Sequence, residues 1–320
     1  LKFYITEGNS YKDVTPLRTT TSAGDVTFAA SNGSSTLTVT DSGHGAVVND
    51  FVTFSGAASL GGLIIASALN QEYQIASVPD GNTYTVTAKD TSGDTLTANA
   101  SDSGNGGGSV VGAYQINTGL NAVIASQGWG ADGWGFGGFG SSTAISSGNQ
   151  LRLFSQDNFG EDLIFNVRGG GIFYSDVSAG LSNRAVNITA LSGASDAPTV
   201  ALQVMVSDTD QHVIAFGCNA IGSSTIDPLF VRFSTQESAR DWTPTATNTA
   251  GGIRINSGSL IVGAVQSRQE ILVFTDRSVH SMRFVGGAFV FELSLISTDV
   301  SMISPNAAID VGGQVYFMDE

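Results

Sequence analysis

Few side chains in this sequence could carry out acid–base or nucleophilic chemistry. It contains three histidines, His44, His212 and His280, and one cysteine, Cys218. A nucleophilic triad needs a histidine between a hydroxyl and an acid, and a structural zinc site needs four Cys or His ligands. Because the histidines fall in or beside predicted strands and a Gly-rich turn, we predict structural roles for all three. Cys218 follows an apolar run and is predicted to be a small core residue.

Acidic residues cluster at two places. Asp157, Glu161 and Asp162 share one short segment, and Asp208 and Asp210 lie on either side of a threonine. Paired carboxylates could serve glycoside hydrolysis, and their oxygens could bind Ca²⁺. Neither cluster has EF-hand spacing, and no glycine motif for binding phosphate is present. We therefore predict solvated turn acids, with no catalytic residue, no cofactor-binding residue and no metal ligand.

Residues 128–140 alternate glycine with aromatic side chains. The large rings are Trp129, Trp134, Phe136 and Phe139. Glycine at this density leaves too little side-chain volume for an ordinary core between strands. The rings could anchor a loop in pockets, form a surface between subunits or stack on carbohydrate. We predict interface or loop anchors at these four positions.

The composition indicates a folded β protein of low charge. The 320 residues include 40 glycines, about twice the typical ~7% share, and only 13% are charged against ~25% in an average domain. The hydrophobic share of 41% excludes a disordered chain. The net charge of −15 excludes a general nucleic-acid binder, because such a surface repels phosphate. No apolar run approaches the ~20 residues of a membrane-spanning helix.

Short runs rich in Val, Ile, Thr, Phe and Tyr, bounded by Gly, Asp, Asn and Ser, predict an almost wholly β chain. Residues 24–116 form a distinct block, which we interpret as a small β domain inserted into a larger one. Its predicted strands are Asp25–Ala30, Ser35–Thr40, Phe51–Ser55, Glu72–Val78, Thr83–Ala88, Thr95–Ala100 and Val110–Ile116.

Residues 149–320 contain a loose repeat of strand, turn and strand. The four predicted hairpins occupy residues 162–175, 212–234, 270–284 and 307–318. They recur every roughly 40–60 residues, a spacing typical of β-propeller blades. A β-sandwich with irregular loops is the alternative.

Long motifs in this second half resemble structural proteins of tailed bacteriophages. The resemblance rests on LRLFSQDNFGEDLI at 151–164, RGGGIFY at 168–174 and RQEILVFTD at 268–276. Three further motifs are VIAFGC at 213–218, DWTPTATNTAG at 241–251 and ISPNAA at 303–308. The resemblance covers residues 120–320, and residues 43–56 resemble a small β module that recurs in phage tail proteins.

The resemblance implies a subunit of the tail nozzle or tail hub of short-tailed phages. It implies a β-propeller that residues 1–23 join through an N-terminal strand, with a Gly- and aromatic-rich loop at 117–148. Blades would occupy 149–320 and continue beyond the last residue. It also implies a homo-oligomeric ring, commonly a hexamer, around a DNA channel, with tail adaptor and fibre proteins as partners. The protein would assemble in the cytoplasm of the bacterial host, reside in the virion tail and catalyse nothing.

Three functional hypotheses follow. The first is a structural virion protein whose acidic channel retains DNA and lets it slide during ejection. The alternative is a secreted or surface β-propeller that binds or hydrolyses carbohydrate, which predicts two carboxylates such as Asp157 and Glu161 at one concave site. The third is a Ca²⁺-dependent adhesion module, whose melting temperature would fall when a chelator is added.

Overall fold

The computed structural model describes residues 2–100, 104–117, 153–287 and 289–319. The chain divides into two compact units, one of residues Thr15–Asn117 and one that combines Leu1–Val14 with Thr118–Glu320. Almost all regular structure in both units is β-strand. The prediction of an all-β chain is therefore confirmed.

A hairpin opens the larger unit. Its strands are β1 (Tyr4–Glu7) and β2 (Ser10–Asp13). The ring of Phe3 packs on Phe154 and Phe165, with centroid distances of 4.8 and 4.3 Å. The N–H of Ala185 donates a 2.9 Å hydrogen bond to the carbonyl of Val14. These contacts attach residues 2–14 to the chain beyond residue 152.

Residues Thr15–Asn117 form one seven-stranded antiparallel sheet with a short helix. The elements are β3 (Leu17–Thr20), β4 (Thr27–Ala30), β5 (Thr36–Thr40), β6 (Phe51–Ser55), α1 (Ala66–Leu69), β7 (Glu72–Ser77), β8 (Thr83–Thr87) and β9 (Val111–Gln115). The strand order across the sheet is β3-β9-β6-β7-β8-β5-β4. Alternate side chains, among them Phe28, Phe54, Tyr84 and Tyr114, are buried in a core that belongs to this unit alone.

The two ends of this smaller unit meet. Leu17 pairs with Gln115, and the N–H of Ile116 donates to the carbonyl of Pro16 at 3.0 Å. The unit therefore begins at Thr15 rather than at residue 24, because β3 is part of its sheet.

The segment Thr95–Ala100 is not the strand that the sequence predicted. It forms a single bridge, between Thr95 and Lys89. The N–H of Leu96 donates to Ala88 and that of Ala98 donates to Ser34. Because its backbone groups bond to two separate segments, the chain crosses the ends of strands there rather than joining the sheet.

Three four-stranded antiparallel sheets follow one another in the described part of the larger unit. Sheet A contains β10 (Phe154–Phe159), β11 (Asp162–Val167), β12 (Ile172–Ser175) and β13 (Val186–Asn187). Sheet B contains β14 (Gln203–Val206), β15 (Val213–Phe216), β16 (Phe230–Phe233) and β17 (Gly251–Arg254). Sheet C contains β18 (Ile261–Gln266), β19 (Ile271–Thr275), β20 (Ser278–Phe284) and β21 (Phe291–Thr298). A terminal hairpin contains β22 (Ala308–Val311) and β23 (Gln314–Phe317).

In these sheets of the larger unit the strands are neighbours in chain order, so each of them is a simple meander. The first three predicted hairpins are the middle pairs of sheets A, B and C, and the fourth is the terminal hairpin. The sequence did not predict the first strands β10, β14 and β18 or the last strands β13 and β17.

Successive sheets pack face to face. Sheets A and B share buried residues that include Ile164, Ile172, Val204 and Val213. Sheets B and C share Phe216, Val231, Val273 and Met282. Phe274 and Val279 of sheet C pack with Ala308 and Val315 of the terminal hairpin. The sheets therefore form a series in which each one covers the next.

Helical structure is scarce. The helix α1 has four residues, and a 3-10 turn covers Ile188–Ala190. Across the described ranges, no helix has the length and apolar character needed to cross a membrane.

Candidate functional site

The first strands of the sheets and of the terminal hairpin, β10, β14, β18 and β22, form a row that we call the leading strands. Side chains of one bind the backbone of the next. The N–H of Val204 donates to Ser155 Oγ at 2.8 Å, and that of Val206 donates to Asp157 Oδ2 at 2.9 Å. Both bonds join β10 to β14, so sheets A and B are held in a fixed register.

A hydrogen-bonded contact between a side chain and the backbone also joins β14 to β18. The Gln203 side chain donates from Nε2 to the carbonyl of Ala264 and accepts the N–H of Ala264 at Oε1, each at 2.8 Å. Ser267, which directly follows β18, donates from Oγ to the side chain of Asp310 on β22, at Oδ2 and 2.8 Å. Polar side chains thus link the whole row of leading strands.

The leading strands carry little charge. Asp157 and Asp310 are their two charged residues, and no lysine or arginine occurs in them. Arg168, between β11 and β12, donates to the carbonyls of Leu202 and Ile261 at 3.3 and 3.5 Å. Burial lowers the pKa of this guanidinium. The row of leading strands therefore contains two hydrogen-bonded carboxylates. One half-buried cation, Arg168, lies beside the first residues of β14 and β18.

The structure separates the acidic residues of the segment 157–162. Asp157 binds sheet B, whereas Asp162 accepts the hydroxyl of Tyr174 and the N–H of Val177. Glu161 is exposed in the turn between β10 and β11. Asp157 lines a cavity of about 300 Å³ that Glu161 does not line. The segment thus supplies contacts within and between sheets, not a pair of carboxylates at one cleft.

Asp210, from the second acidic cluster, is buried beside His212. It also accepts the hydroxyl of Ser207, while Asp208 is exposed. Among the residues that the structure describes, no three His, Cys, Asp or Glu side chains converge as a metal site would require.

Asp210, His212 and Thr249 are bonded in the order acid, histidine and hydroxyl, which is the order of a catalytic triad. The Nδ1 of His212 contacts the carboxylate of Asp210, and its Nε2 lies 2.9 Å from Thr249 Oγ1. The Thr249 hydroxyl also accepts the N–H of Gln236 at 2.8 Å and bonds to Thr235 Oγ1 at 3.2 Å. A hydroxyl offers one donor and two acceptor positions, so these three hydrogen bonds occupy every position of Thr249 Oγ1. The arrangement holds loops together and leaves no free nucleophile.

The spacing of Asp210 and His212 could have signalled this contact from the sequence. Thr249 is too distant along the chain for any pattern to connect it. Three rings, Phe233, Phe284 and Phe291, surround the imidazole at centroid distances of 5.2–6.3 Å. A buried imidazole in this setting packs as part of the core between sheets B and C.

The other two histidines also lie in structural settings. His44 is buried in the smaller unit, where its Nδ1 accepts the N–H of Ala46 at 3.0 Å and its ring lies 4.9 Å from that of Tyr84. His280 Nε2 lies 3.0 Å from Ser278 Oγ. Burial lowers the pKa of His280.

Cys218 is buried, as the sequence predicted. Its thiol donates to the carbonyl of Ala215 at 3.5 Å. Burial raises the pKa of this thiol to about 12. The low-pKa, exposed surroundings of a catalytic cysteine are therefore missing at this position.

A cleft of about 910 Å³, here called the outer cleft, opens between β17 of sheet B and strands β20 and β21 of sheet C. Ile253 lines one side, and Leu293 and Leu295 line the other. His280 and Glu292 are among its polar lining residues, and Glu292 is the one carboxylate among the lining residues that the structure describes. The volume and the mainly apolar lining are those of a ligand pocket.

Trp129, Trp134, Phe136 and Phe139 lie outside the described residues. Their role as interface or loop anchors stays a prediction.

No family model matches the sequence, and no curated protein matches it. A solved structure with some similarity is the phage phi92 endosialidase, with 11% sequence identity and a TM-score of 0.27. The match covers 90% of this chain and 43% of that one, so this chain spans less than half the length of that protein. Similarity at this level does not identify a shared fold.

Proposed function

We propose that this chain is a structural subunit of a bacteriophage tail. In this proposal sheets A, B and C and the terminal hairpin are consecutive blades of a β-propeller. The observation that carries it is the linked row of leading strands, in which Ser155, Asp157 and Gln203 bind the backbone of the next sheet. The phage-like motifs of the sequence coincide with these sheets.

The arrangement of the sheets supports the propeller. A propeller blade is a four-stranded meander whose faces pack on the blades before and after it. Sheets A, B and C are such meanders, and a shared core lies at each successive contact. The hairpin β1–β2 extends the series at its start, because Phe3 packs on sheet A.

The charge of the chain supports a passive role toward DNA. The leading strands contain no lysine or arginine to attract phosphate, and the net charge is −15. We infer that the subunit is non-catalytic and that copies of it form a ring whose wall repels the DNA passing through. Tail adaptor and fibre proteins are the expected neighbours of that ring.

Electron microscopy tests this function directly. An antibody against the purified chain should label one defined position on the tails of virions whose genome encodes it. Images of the purified protein should show rings with a central opening. Virions that carry no label, under conditions where an antibody to a known tail protein does label them, would contradict the proposal.

Carbohydrate binding is the second candidate, and the outer cleft is the observation that favours it. Phe289 presents an exposed ring at its lining, as a sugar-stacking residue does, and within the described part of the chain Glu292 is the one carboxylate that lines it. Hydrolysis by the usual mechanism needs two carboxylates, so binding without cleavage is the expected form. A glycan array tests it, with Phe289→Ala expected to abolish any signal and the exposed Phe317→Ala as the control.

A further inference from the structure

A cavity of about 300 Å³, here called the strand cavity, lies beside the leading strands β10 and β14. Its lining includes Gln156 and Asp157 of β10, Arg168 from the turn after β11, and Asn306 from the turn before β22. The volume lies at the lower end of the ~300–1,000 Å³ that is typical of ligand pockets. The strand cavity therefore has room for one small molecule.

Arg168 is the cation among the described lining residues, and its hydrogen bonds are weak. The two carbonyls that it contacts, those of Leu202 and Ile261, lie at 3.3 and 3.5 Å, near the limit for a hydrogen bond. A guanidinium has five N–H groups, so three of them have no acceptor among the residues that the structure describes. Arg168 is half-buried, and its guanidinium is available to a molecule in the strand cavity.

No described carboxylate neutralises Arg168. Asp157 lines the same cavity, but it accepts the N–H of Asn158 at 2.8 Å and that of Val206 at 2.9 Å and forms no ion pair with the guanidinium. Burial lowers the pKa of Arg168, and no neighbouring negative charge raises it in return. A half-buried cation without a counter-charge attracts an anion more strongly than a cation in open solvent does.

Two amide side chains provide further donors beside this cation. Gln156 and Asn306 are exposed and line the strand cavity, so they lie where it meets solvent. Within the described ranges, neither side-chain amide forms a hydrogen bond with another residue. Each amide can donate two hydrogen bonds. The cavity thus offers one guanidinium and two amides to an incoming anion.

We propose that the strand cavity binds a small organic acid through its carboxylate, which pairs with Arg168 and accepts hydrogen bonds from Gln156 and Asn306. The planar guanidinium matches a carboxylate through two parallel hydrogen bonds. A phosphate monoester carries about −1.5 to −2 at pH 7, and its second charge would lie uncompensated near Asp157. A singly charged carboxylate is therefore the anion that fits one guanidinium.

The inference goes beyond the proposed tail role and does not depend on it. The strand cavity and the outer cleft share none of their described lining residues. An acid could fail to bind while tails are still labelled, and labelling could fail while the acid still binds.

Saturation-transfer NMR on the whole chain tests the proposal with acetate, glucuronate and glucose as probes. Acetate and glucuronate should both give signals and should displace each other, whereas glucose, which has no carboxylate, should give none. Similar affinities for the two acids would indicate recognition of the carboxylate alone. Glucuronate that binds at least about tenfold more tightly would indicate a sugar acid. Absence of binding by both acids, or equal binding of glucose, would overturn the proposal.

Three variants show whether the strand cavity is the site. Arg168→Gln should weaken binding of both acids at least about tenfold, because it removes the charge that pairs with the carboxylate. Arg277→Gln removes an exposed arginine from the turn between β19 and β20 and should bind as the unaltered chain does.

Asn306→Asp is the variant that does not depend on the two backbone contacts of Arg168. It keeps the shape of an exposed side chain and adds a carboxylate that competes with the ligand for Arg168. It should also weaken binding at least about tenfold. Unchanged binding in Asn306→Asp, or an equal loss in Arg277→Gln, would overturn the proposal.

Discussion

The buried thiol of Cys218 sets a clear expectation at the scale of single residues. Its pKa of about 12, raised from 9.0 by burial, lowers the thiolate fraction about a thousandfold relative to an exposed cysteine. A disulfide reagent should therefore modify the folded chain at least about a hundredfold more slowly than the chain unfolded in guanidinium. The thiol of Ser92→Cys, in an exposed turn, provides the control, and similar rates for Cys218 in both states would contradict a buried position.

His280 makes stability depend on pH. Burial lowers its pKa below the ordinary 6.5, so between these two values the unfolded chain binds a proton that the folded chain does not. The stabilising contribution is full above pH 6.5 and is lost as the pH falls from there through the lowered pKa of the folded chain. Urea unfolding at about pH 7.5 and about pH 5.5 should show a smaller loss of stability in His280→Gln than in the unaltered chain. Equal losses in the two proteins would refute this.

Among elements, the side chain of Gln203 supplies two hydrogen bonds between β14 and β18. Gln203→Ala removes both hydrogen bonds to Ala264 and leaves a backbone N–H and a carbonyl without these partners. The free energy of unfolding should fall by about 1–3 kcal/mol.

Gln156→Ala is the matched control for that substitution. Gln156 lies on the leading strand β10, but it is exposed and makes no comparable contact. Chemical denaturation should show less than about 0.5 kcal/mol of change for this variant. If both variants lost the same stability, the Gln203 amide would add nothing measurable to the contact between sheets B and C.

The elements also show how far the sequence could predict the fold. The middle strand β19 is a nearly continuous apolar run, and a short turn separates it from β20, so the pattern predicted this hairpin directly. The leading strand β10 contains Gln156, Asp157 and Asn158, and the sequence was interpreted there as a cluster of turn acids. For Asp157 that interpretation was wrong, because its carboxylate accepts the N–H of Val206 in the next sheet.

The candidate sites were less predictable for a related reason. Asp210 and His212 are close in sequence, but Thr249 comes from a distant loop that only the folded chain brings near. The outer cleft likewise forms between two sheets and has no counterpart in any local pattern. Contacts of this kind depend on how the sheets pack on one another.

For the whole molecule, the smaller unit should fold by itself. Residues 15–117 have their own core, and their ends pair through Leu17 and Gln115. Expressed alone, this segment should give a cooperative thermal transition and dispersed amide signals in NMR spectra. A segment that begins at residue 24 lacks β3 and should be measurably less stable, which is the control for the boundary. A segment 15–117 without cooperative unfolding would contradict an independent unit.

The meeting of Pro16 and Ile116 also determines how this unit responds to mechanical force. Tension applied through the flanking chain pulls β3 and β9 apart from their shared end, so their hydrogen bonds break one after another rather than all together. Peeling of this kind is the weak direction of a β-sheet. Once opened, residues 15–117 would release roughly 340 Å of extended chain. The unit would then act as an extensible tether.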